Sequence, residues 1–405
     1  MLLSEPHLLP PFGCAPTIHK KTTRPTHHPG MLIPTLCLTL CLTHNCNLRC
    51  RYCYAGRKRQ HAMSPDTARR AMELALEEAQ RIGGAVDLSF FGGEPLLEWD
   101  LLRRCYDYMQ EHAPTEPAPV RYGITTNMTL LTPDKLEWLQ ERHFKLGLSI
   151  DGSPAMHNLN RRYASGRGSH EAILPALEWV NAHPELDSRA ICVVTPNNVH
   201  LLAEGITWLH THYHGRIGLN LDYWTEWADT DFATLETRME QISHLIISTY
   251  REGSKPLHLD NIEDKIYSHL NPPEKDCSHC RIGEREWAVS VDGNIFPCSR
   301  LVGQGDDPEI IFGSVHSGID RARQNWLIAT RGNRTPECRL CTLRHRCMNS
   351  CGCTNRAASG HWDQVSPFLC QSEQLMIRTA DTIAEQLYAE RNPAFIKHFY
   401  HRQEN

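Results

Sequence analysis

Residues 46–53 read CNLRCRYC and place three cysteines, Cys46, Cys50 and Cys53, on one short loop. Three thiolates can hold three irons of a four-iron cluster and leave the fourth iron without a protein ligand. An open iron can bind a substrate-like molecule, whereas a fully ligated cluster only passes electrons. The alternative is a zinc knuckle, but a structural zinc site needs four ligands. The loop carries no fourth cysteine, and only His44 is at hand to replace one.

Composition indicates a cytoplasmic metalloprotein. The chain has 405 residues, enough for two or three domains or for one barrel with an appendage. Its net charge is −5 without a block of like charge, which predicts no nucleic-acid partner and no membrane partner. The 17 cysteines occur without a signal peptide or transmembrane run, so metal-bound thiolates are favoured over disulfides.

Alternation of strands and helices predicts the fold class. After a disordered N-terminal tail (1–30), with Met31 as an alternative start, an apolar strand spans 31–42. Further strands are predicted over 86–91, 121–125, 144–150, 189–195 and 217–223, each followed by a helix. These six units predict an α/β fold, a partial (β/α)6 TIM-like barrel over 31–255. Functional residues are expected at the carboxyl ends of its strands.

The C-terminal part does not continue the strand–helix alternation. We expect a linker over 256–276, a loop-rich, cysteine-rich iron–sulfur domain over 277–375, and a C-terminal helix and tail over 376–405. Asp292-Gly293 predicts a hairpin turn. Nine cysteines fall between 277 and 370. Because a loop-rich segment buries little hydrophobic core, we expect metal clusters to cross-link it. The remaining cysteines are interpreted as incidental: Cys14, Cys37, Cys41, Cys105 and Cys192.

Two motifs together resemble the radical S-adenosylmethionine (SAM) superfamily. The first is the C-x3-C-x2-C loop with Tyr52 before its last cysteine, and the second is Gly92-Gly93-Glu94-Pro95 directly after the strand over 86–91. The resemblance implies a [4Fe–4S] cluster whose open iron binds SAM, with the second motif on the methionine amino group. It further implies SAM contacts from strand ends and the following loop: Asn127, Ser149, Asp151 and Arg161. For Ser149 and Asp151 the alternative is loop capping.

The distal cysteines resemble the SPASM extension of the same superfamily. The resemblance implies two auxiliary [4Fe–4S] clusters. One would use Cys277, Cys280, Cys298 and Cys351, and the other Cys338, Cys341, Cys347 and Cys370. Cys353 is an extra cysteine, expected to be free, with ligand substitution as the alternative. Structural zinc is the alternative for the C-x2-C pairs.

The resemblance implies an enzyme that cleaves SAM reductively to a 5′-deoxyadenosyl radical and abstracts hydrogen from a peptide or protein substrate, installing a modification or crosslink. A flavodoxin or ferredoxin would supply the electron. Sulfatase maturases carry an acidic residue after the second SPASM cysteine, whereas Ser299-Arg300 follows Cys298 here. Formylglycine formation is therefore the alternative activity, and a non-catalytic electron-transfer scaffold is a second alternative.

The catalytic base stays undetermined at this point. An aromatic–acidic loop over 223–229 follows the sixth predicted strand. A lid or packing role is favoured for it, and contact with a peptide substrate is the alternative. Asp222, Glu226 and Asp229 are the base candidates there, and no sequence feature selects one.

Overall fold

The computed structural model of the protein describes residues 33–272, 282–304, 307–330, 335–348 and 351–400. The predicted tail over 1–30, the alternative start at Met31 and the predicted ligands Cys277 and Cys280 lie outside these ranges. Among the described helices, none has the length and apolar composition that crossing a bilayer requires.

A ten-stranded open sheet forms the centre of the molecule, in the order β10-β9-β8-β7-β1-β2-β3-β4-β5-β6. Its first six strands are all parallel to their neighbours in chain order. They are β1 (Thr35–Thr43), β2 (Ala85–Gly92), β3 (Arg121–Thr126), β4 (Lys145–Ser149), β5 (Ser188–Val194) and β6 (Arg216–Leu221). The sheet does not close, so the prediction of a partial (β/α)6 barrel is confirmed.

Helices connect the parallel strands. They are α1 (Pro65–Arg81), α2 (Trp99–His112), α3 (Pro133–Glu141), α4 (Pro154–Asn160), α5 (His170–Ala182), α6 (Leu202–His212) and α7 (Asp229–Arg251). Helix α1 begins where the sequence predicts it, because the Ser64 side chain accepts a hydrogen bond from the Thr67 amide and Pro65 occupies the first turn. The short helix α4 was not predicted.

The C-terminal part continues the same sheet. Strand β7 (Glu286–Val289) pairs in parallel with β1, and β8 (Asn294–Phe296) forms the predicted hairpin with β7. Gly293 has φ +85°, the backbone that a turn glycine adopts readily. Two short strands, β9 (Gly313–Ser314) and β10 (Gly318–Ile319), complete the edge.

The described residues after β6 and α7 form six further helices: α8 (Asp260–Leu270), α9 (Arg321–Thr330), α10 (Pro336–Leu340), α11 (Gly352–Ser359), α12 (Pro367–Ala389) and α13 (Pro393–Phe399). Helix α8 lies inside the stretch predicted as a linker. Ile262 and Ile266 are buried and lie on one helical face. The flanking prolines, Pro256, Pro272 and Pro273, obscured this short amphipathic pattern in the sequence.

An ion-pair network joins the C-terminal part to the barrel. The Glu78 side chain on α1 is only 3 % exposed, and both its oxygens accept hydrogen bonds from Arg321 on α9, at 2.7 and 3.1 Å. Arg81 donates to the same carboxylate. Burial alone would raise the pKa of Glu78, but hydrogen bonds from Arg81 and Arg321 outweigh it and lower the pKa to about 2.

Replacing Glu78 by Gln tests this junction. The variant leaves two guanidinium groups facing a neutral amide, so we expect a loss of about 1.5–3 kcal/mol in the free energy of unfolding at neutral pH. Glu77→Gln, one residue away on the exposed face of α1, is the matched control and should change stability by less than about 0.5 kcal/mol. Thermal unfolding of both variants measures the difference, and equal midpoints would contradict the account.

Candidate functional site

The cysteine loop leaves the carboxyl end of β1 and is held by backbone hydrogen bonds to the segment after α4. The amide of Arg49 donates to the Arg162 carbonyl at 2.6 Å, and the amide of Arg51 donates to the Asn160 carbonyl at 3.1 Å. Leu48, between the first two cysteines, is buried at 1 % exposure. The loop is therefore anchored on the barrel through its backbone and through the Leu48 side chain.

Polar groups surround the sulfur atoms of this loop. The Leu48 amide lies 3.4 Å and Asn127 Nδ2 lies 3.7 Å from Cys46 Sγ, and Lys58 Nζ lies 3.1 Å from Cys53 Sγ. Burial raises the pKa of the Cys50 thiol to about 12, so it keeps its proton at neutral pH unless a metal replaces that proton. Three thiols with hydrogen-bond donors at two sulfurs fit an iron–sulfur cluster. His44, the residue a zinc knuckle would need, instead lies beside His61, with ring centroids 6.0 Å apart.

The Gly-Gly-Glu-Pro motif docks directly on the chain segment that precedes Cys46. The amide of Gly93 donates to the Thr43 carbonyl at 2.7 Å, and the amide of Glu94 donates to the Asn45 carbonyl at 2.9 Å. A Cβ on Gly93 would lie 1.9 Å from the Asn45 oxygen, and Gly92 has φ +127°. Only glycines permit this close approach of two backbones.

The Glu94 carboxylate joins the ends of β2 and β3. Its side chain is fully buried and accepts hydrogen bonds from the Thr126 hydroxyl (2.7 Å) and from the amides of Asn127 (2.8 Å) and Leu96 (3.1 Å). Burial raises the pKa of Glu94, and these three donors oppose the shift. The carboxylate thus fixes the loop that carries Asn127.

The loop after β3 is held in an uncommon conformation. Met128, fully buried, has φ +67°, a left-handed conformation that costs a non-glycine residue free energy. Its amide donates to the Thr126 hydroxyl at 3.1 Å, and Asn127 Nδ2 donates to Asn47 Oδ1 at 2.8 Å. Asn127 therefore contacts both the cysteine loop and the Glu94-bound turn.

A buried network assembles three predicted site residues. Tyr52 donates its hydroxyl to Asp151 Oδ2 at 2.6 Å, and Arg161 Nε lies 3.1 Å from Asp151 Oδ1. The Arg161 guanidinium also lies over the Tyr52 ring, 5.3 Å from its centroid. Burial alone would lower the pKa of Arg161, but the charge of Asp151 raises it. The pair is fully desolvated, so each charge depends on the other.

The other predicted residues lie at the same edge of the sheet. Ser149 is the last residue of β4 and is half-buried. Asp222 follows β6, where burial raises its pKa and its Oδ1 accepts from the Trp224 amide at 3.0 Å. Glu226 and Asp229 are exposed.

The aromatic–acidic loop makes packing contacts. Trp224 stacks on Tyr54 of the cysteine loop at 5.7 Å between ring centroids, and Trp227 stacks on Phe368 at 4.7 Å. Tyr54 also stacks on Phe91 at the end of β2. These contacts correspond to the packing role favoured for this loop, which bridges the cysteine loop and helix α12.

Three C-terminal thiols converge beside the barrel. Cys353 Sγ lies 3.5 Å from Cys298 Sγ and 3.5 Å from Cys351 Sγ. Arg300 extends from this cluster to β6, with Nη2 donating to Asn220 Oδ1 at 3.1 Å. Cys298 and Cys351 were predicted to share a cluster, and the structure brings them to one place together with Cys353, the cysteine expected to be free.

The cysteines of the second predicted ligand group belong to α10, to the loop after it and to α12. Cys338 lies in α10, and Cys370 lies in the first turn of α12, where its Sγ accepts from Gln374 at 3.2 Å. The loop around Cys347 is pinned by its neighbours. Arg346 pairs with Asp381 at 2.6 Å, and the Met348 amide donates to Glu373 at 2.6 Å. That Cys338, Cys341, Cys347 and Cys370 bind one cluster stays a prediction.

Sequence reasoning missed several residues that build the site. Thr126 was quoted only as part of a strand end, yet its hydroxyl anchors Glu94. Met128 gives no sequence signal of its left-handed backbone. Arg300 was noted only as a departure from an acidic pattern, yet it links the C-terminal thiols to β6.

Comparison with known proteins identifies the barrel. Residues 40–195 match the profile of the radical SAM superfamily. The chain contains a radical SAM domain. This superfamily uses a [4Fe–4S] cluster together with SAM, and both are cofactors of this chain. The matched residues include the cysteine loop, the Gly-Gly-Glu-Pro motif, Asp151 and Arg161.

One relative and two solved structures extend the comparison. A cysteine-type anaerobic sulfatase-maturating enzyme of Clostridium perfringens is 28 % identical over 160 residues, 38 % of this chain and 42 % of that protein. The structure of anSMEcpe with bound AdoMet and Cp18Cys peptide aligns with a TM-score of 0.70 at 18 % identity, over 89 % of this chain and 99 % of that one. Streptococcus suis SuiB bound to precursor peptide SuiA aligns with a TM-score of 0.58 at 17 % identity, over 84 % and 76 %. The structural alignments show that the fold shared with these two proteins extends into the C-terminal part.

Adding one methyl group at Gly93 tests the backbone docking. In Gly93→Ala the new Cβ collides with the Asn45 carbonyl, and overpacking of this kind costs about 1–3 kcal/mol. We expect SAM to bind roughly tenfold more weakly or worse in the anaerobically reconstituted protein, measured by equilibrium dialysis. Gly123→Ala is the control, since its Cβ meets nothing closer than the Ser89 hydroxyl at 3.3 Å. Equal SAM affinity in the two variants would refute the docking argument.

Neutralising Asp151 tests the buried network. Asp151→Asn leaves the Arg161 charge buried without its partner, and such a loss typically costs about 3–5 kcal/mol of stability. The double variant Asp151→Asn/Arg161→Met removes both charges and should recover part of that loss. Denaturant unfolding compares both with Asp107→Asn, an exposed site on α2 that should be neutral. A double variant no more stable than Asp151→Asn would argue against the pairing.

Proposed function

We propose that this protein is a radical SAM maturase that abstracts hydrogen from a side chain of a peptide or protein and so installs a modification or crosslink. The observation that carries the proposal is the docking of Gly93 and Glu94 on the segment that leads into Cys46. This contact supports the proposal because it holds the three-cysteine loop against the backbone of the motif that would bind SAM. When bound, the reduced cluster supplies the electron that cleaves SAM.

The residues of this chain have distinct tasks in that reaction. Cys46, Cys50 and Cys53 would hold the cluster, and Gly92–Pro95 would receive the methionine amino group of SAM. Asn127 and Ser149, at the ends of β3 and β4, would contact SAM directly. The pair of Asp151 and Arg161 would hold Tyr52, the residue before the third cysteine, in position. Leu48 and Met128, both buried, keep water away from the base of the site.

The C-terminal part supports a peptide or protein as the substrate class. The sulfatase-maturating enzyme and SuiB are similar to this chain, and structures of anSMEcpe and SuiB contain peptides. We propose that Cys298 and Cys351, with the cysteines around α10 and α12, bind auxiliary clusters as in SPASM maturases. A flavodoxin or ferredoxin in the cytoplasm would be the reductant.

The residue after Ser299, Arg300, helps to decide between two maturase activities, peptide crosslinking and formylglycine formation. Formylglycine formation in sulfatase maturases is associated with an acidic residue after the second SPASM cysteine. Here Ser299-Arg300 follows Cys298, and Arg300 is directed towards Asn220 on β6. A cation at this place cannot accept a proton from the substrate. We therefore favour a peptide-crosslinking or related modification over formylglycine formation.

The activity is tested by anaerobic reconstitution with iron, sulfide, SAM and dithionite. We expect the wild-type protein to form 5′-deoxyadenosine, detected by liquid chromatography and mass spectrometry. Cys50→Ala should abolish the product, because two thiolates do not hold the cluster in place. Cys105→Ala, which removes a buried cysteine on α2, is the matched control and should retain the product.

The substrate class is tested in the same assay. A short peptide encoded beside the gene should lose two mass units and increase 5′-deoxyadenosine formation. A sulfatase peptide converted to formylglycine would overturn the ranking of the two activities. If a protein that contains all its clusters does not cleave SAM at all, the enzyme hypothesis is wrong and the non-catalytic electron-transfer scaffold remains.

A further inference from the structure

The C-terminal thiol cluster contains one sulfur atom more than the recognised cysteine pattern provides. Cys298 precedes a short 3₁₀ helix that begins at Ser299, Cys351 is the N-cap of α11, and Cys353 lies in the first turn of α11. The Cys353 sulfur lies 3.5 Å from each of the other two. We propose that Cys353 is one of the four thiolate ligands of the auxiliary iron–sulfur cluster bound by Cys298 and Cys351, and that it replaces one of the two other cysteines predicted for that cluster. This inference rests on the proposed function, which places a cluster there.

Backbone geometry explains how two cysteines only two residues apart can both direct their sulfur atoms to one cluster. Side chains at i and i+2 of a regular helix point in different directions. Cys351 escapes this restriction because it is the N-cap, with an extended backbone at φ −73° and ψ 94°. Its sulfur can therefore turn towards the sulfur of Cys353.

The surroundings of the three sulfurs are polar and positively charged. Arg300 Nη1 lies 3.3 Å from Thr354 Oγ1, and that hydroxyl lies 3.1 Å from Cys351 Sγ. The half-buried Arg300 guanidinium therefore supplies a positive charge close to sulfur atoms that would be anionic as metal ligands. Metal binding replaces the thiol proton and changes no oxidation state of the sulfur.

Cys105 shows what an incidental buried cysteine looks like in this fold. It is as buried as Cys353, each at 2 % exposure. It lies on the face of α2 that buries Leu101, Leu102 and Met109. Cys353 shares its burial but has two thiols as neighbours, so burial alone does not account for its position.

Metal analysis of the C-terminal part tests the proposal. The variant Cys46→Ala/Cys50→Ala/Cys53→Ala removes the SAM-binding cluster, so the remaining iron belongs to the auxiliary sites. In this background we expect Cys353→Ser to lose roughly half of the remaining iron and sulfide, or to change the electron paramagnetic resonance of the reduced protein if the serine oxygen binds iron. Cys105→Ser, the matched control, should change neither.

Each outcome decides the proposal. Iron content and spectrum equal to those of Cys105→Ser would overturn it, and so would loss of zinc in place of iron. Cys298→Ser serves as the positive control in the same background. If Cys298→Ser keeps all its iron, no auxiliary cluster is bound at this place, and the proposed function is wrong about that cluster. If Cys298→Ser loses iron but Cys353→Ser does not, only the present inference is wrong.

A measurement on the wild-type protein covers the case in which Cys353→Ser does not fold. Loaded and chelator-treated protein are alkylated under native conditions and the labelled cysteines are identified by mass spectrometry. We expect chelation to speed the labelling of Cys353 together with that of Cys298 and Cys351, and to leave the labelling rate of Cys105 unchanged. An equal labelling rate of Cys353 in loaded and in chelator-treated protein would overturn the proposal.

Discussion

The site depends on two backbone hydrogen bonds between the end of β2 and the segment after β1. Gly93 and Glu94 donate their amides to the carbonyls of Thr43 and Asn45, immediately before the first cysteine of the loop. The approach is so close that a Cβ at Gly93 has no room. Because the two segments follow neighbouring parallel strands, the sheet register brings the cysteine loop and the Gly-Gly-Glu-Pro motif to one point.

Further polar contacts support the cysteine loop along the edge where the parallel strands end. Glu94 uses its carboxylate to hold the loop after β3, and Asn127 in that loop contacts Cys46 and Asn47. Asp151, after β4, accepts a hydrogen bond from Tyr52, the residue before the third cysteine. Successive strands thus each contribute one polar group to the support of the cysteine loop. The C-terminal part joins the same sheet through β7 and reaches β6 through Arg300, so its thiols lie beside this edge.

Much of this arrangement was predictable from the sequence, because strand–helix alternation and cysteine spacing are local patterns. The six parallel strands and the start of α1 were found in this way. The misses have physical reasons. Helix α8 was predicted as a linker because prolines flank its short amphipathic face. The left-handed backbone of Met128 is imposed by tertiary contacts. Cys353 lies two residues after a pattern cysteine, and only the cap geometry of α11 reveals that its sulfur meets Cys298.

The central claim is that the loop of Cys46, Cys50 and Cys53 leaves one iron open and that SAM occupies it. Electron–nuclear double resonance on the reduced, reconstituted protein with SAM labelled by nitrogen-15 at the methionine amino group measures this directly. The account predicts a hyperfine coupling between the label and the cluster in the wild-type protein and its loss in Cys50→Ala. A reduced wild-type cluster that binds SAM without any such coupling would contradict the account.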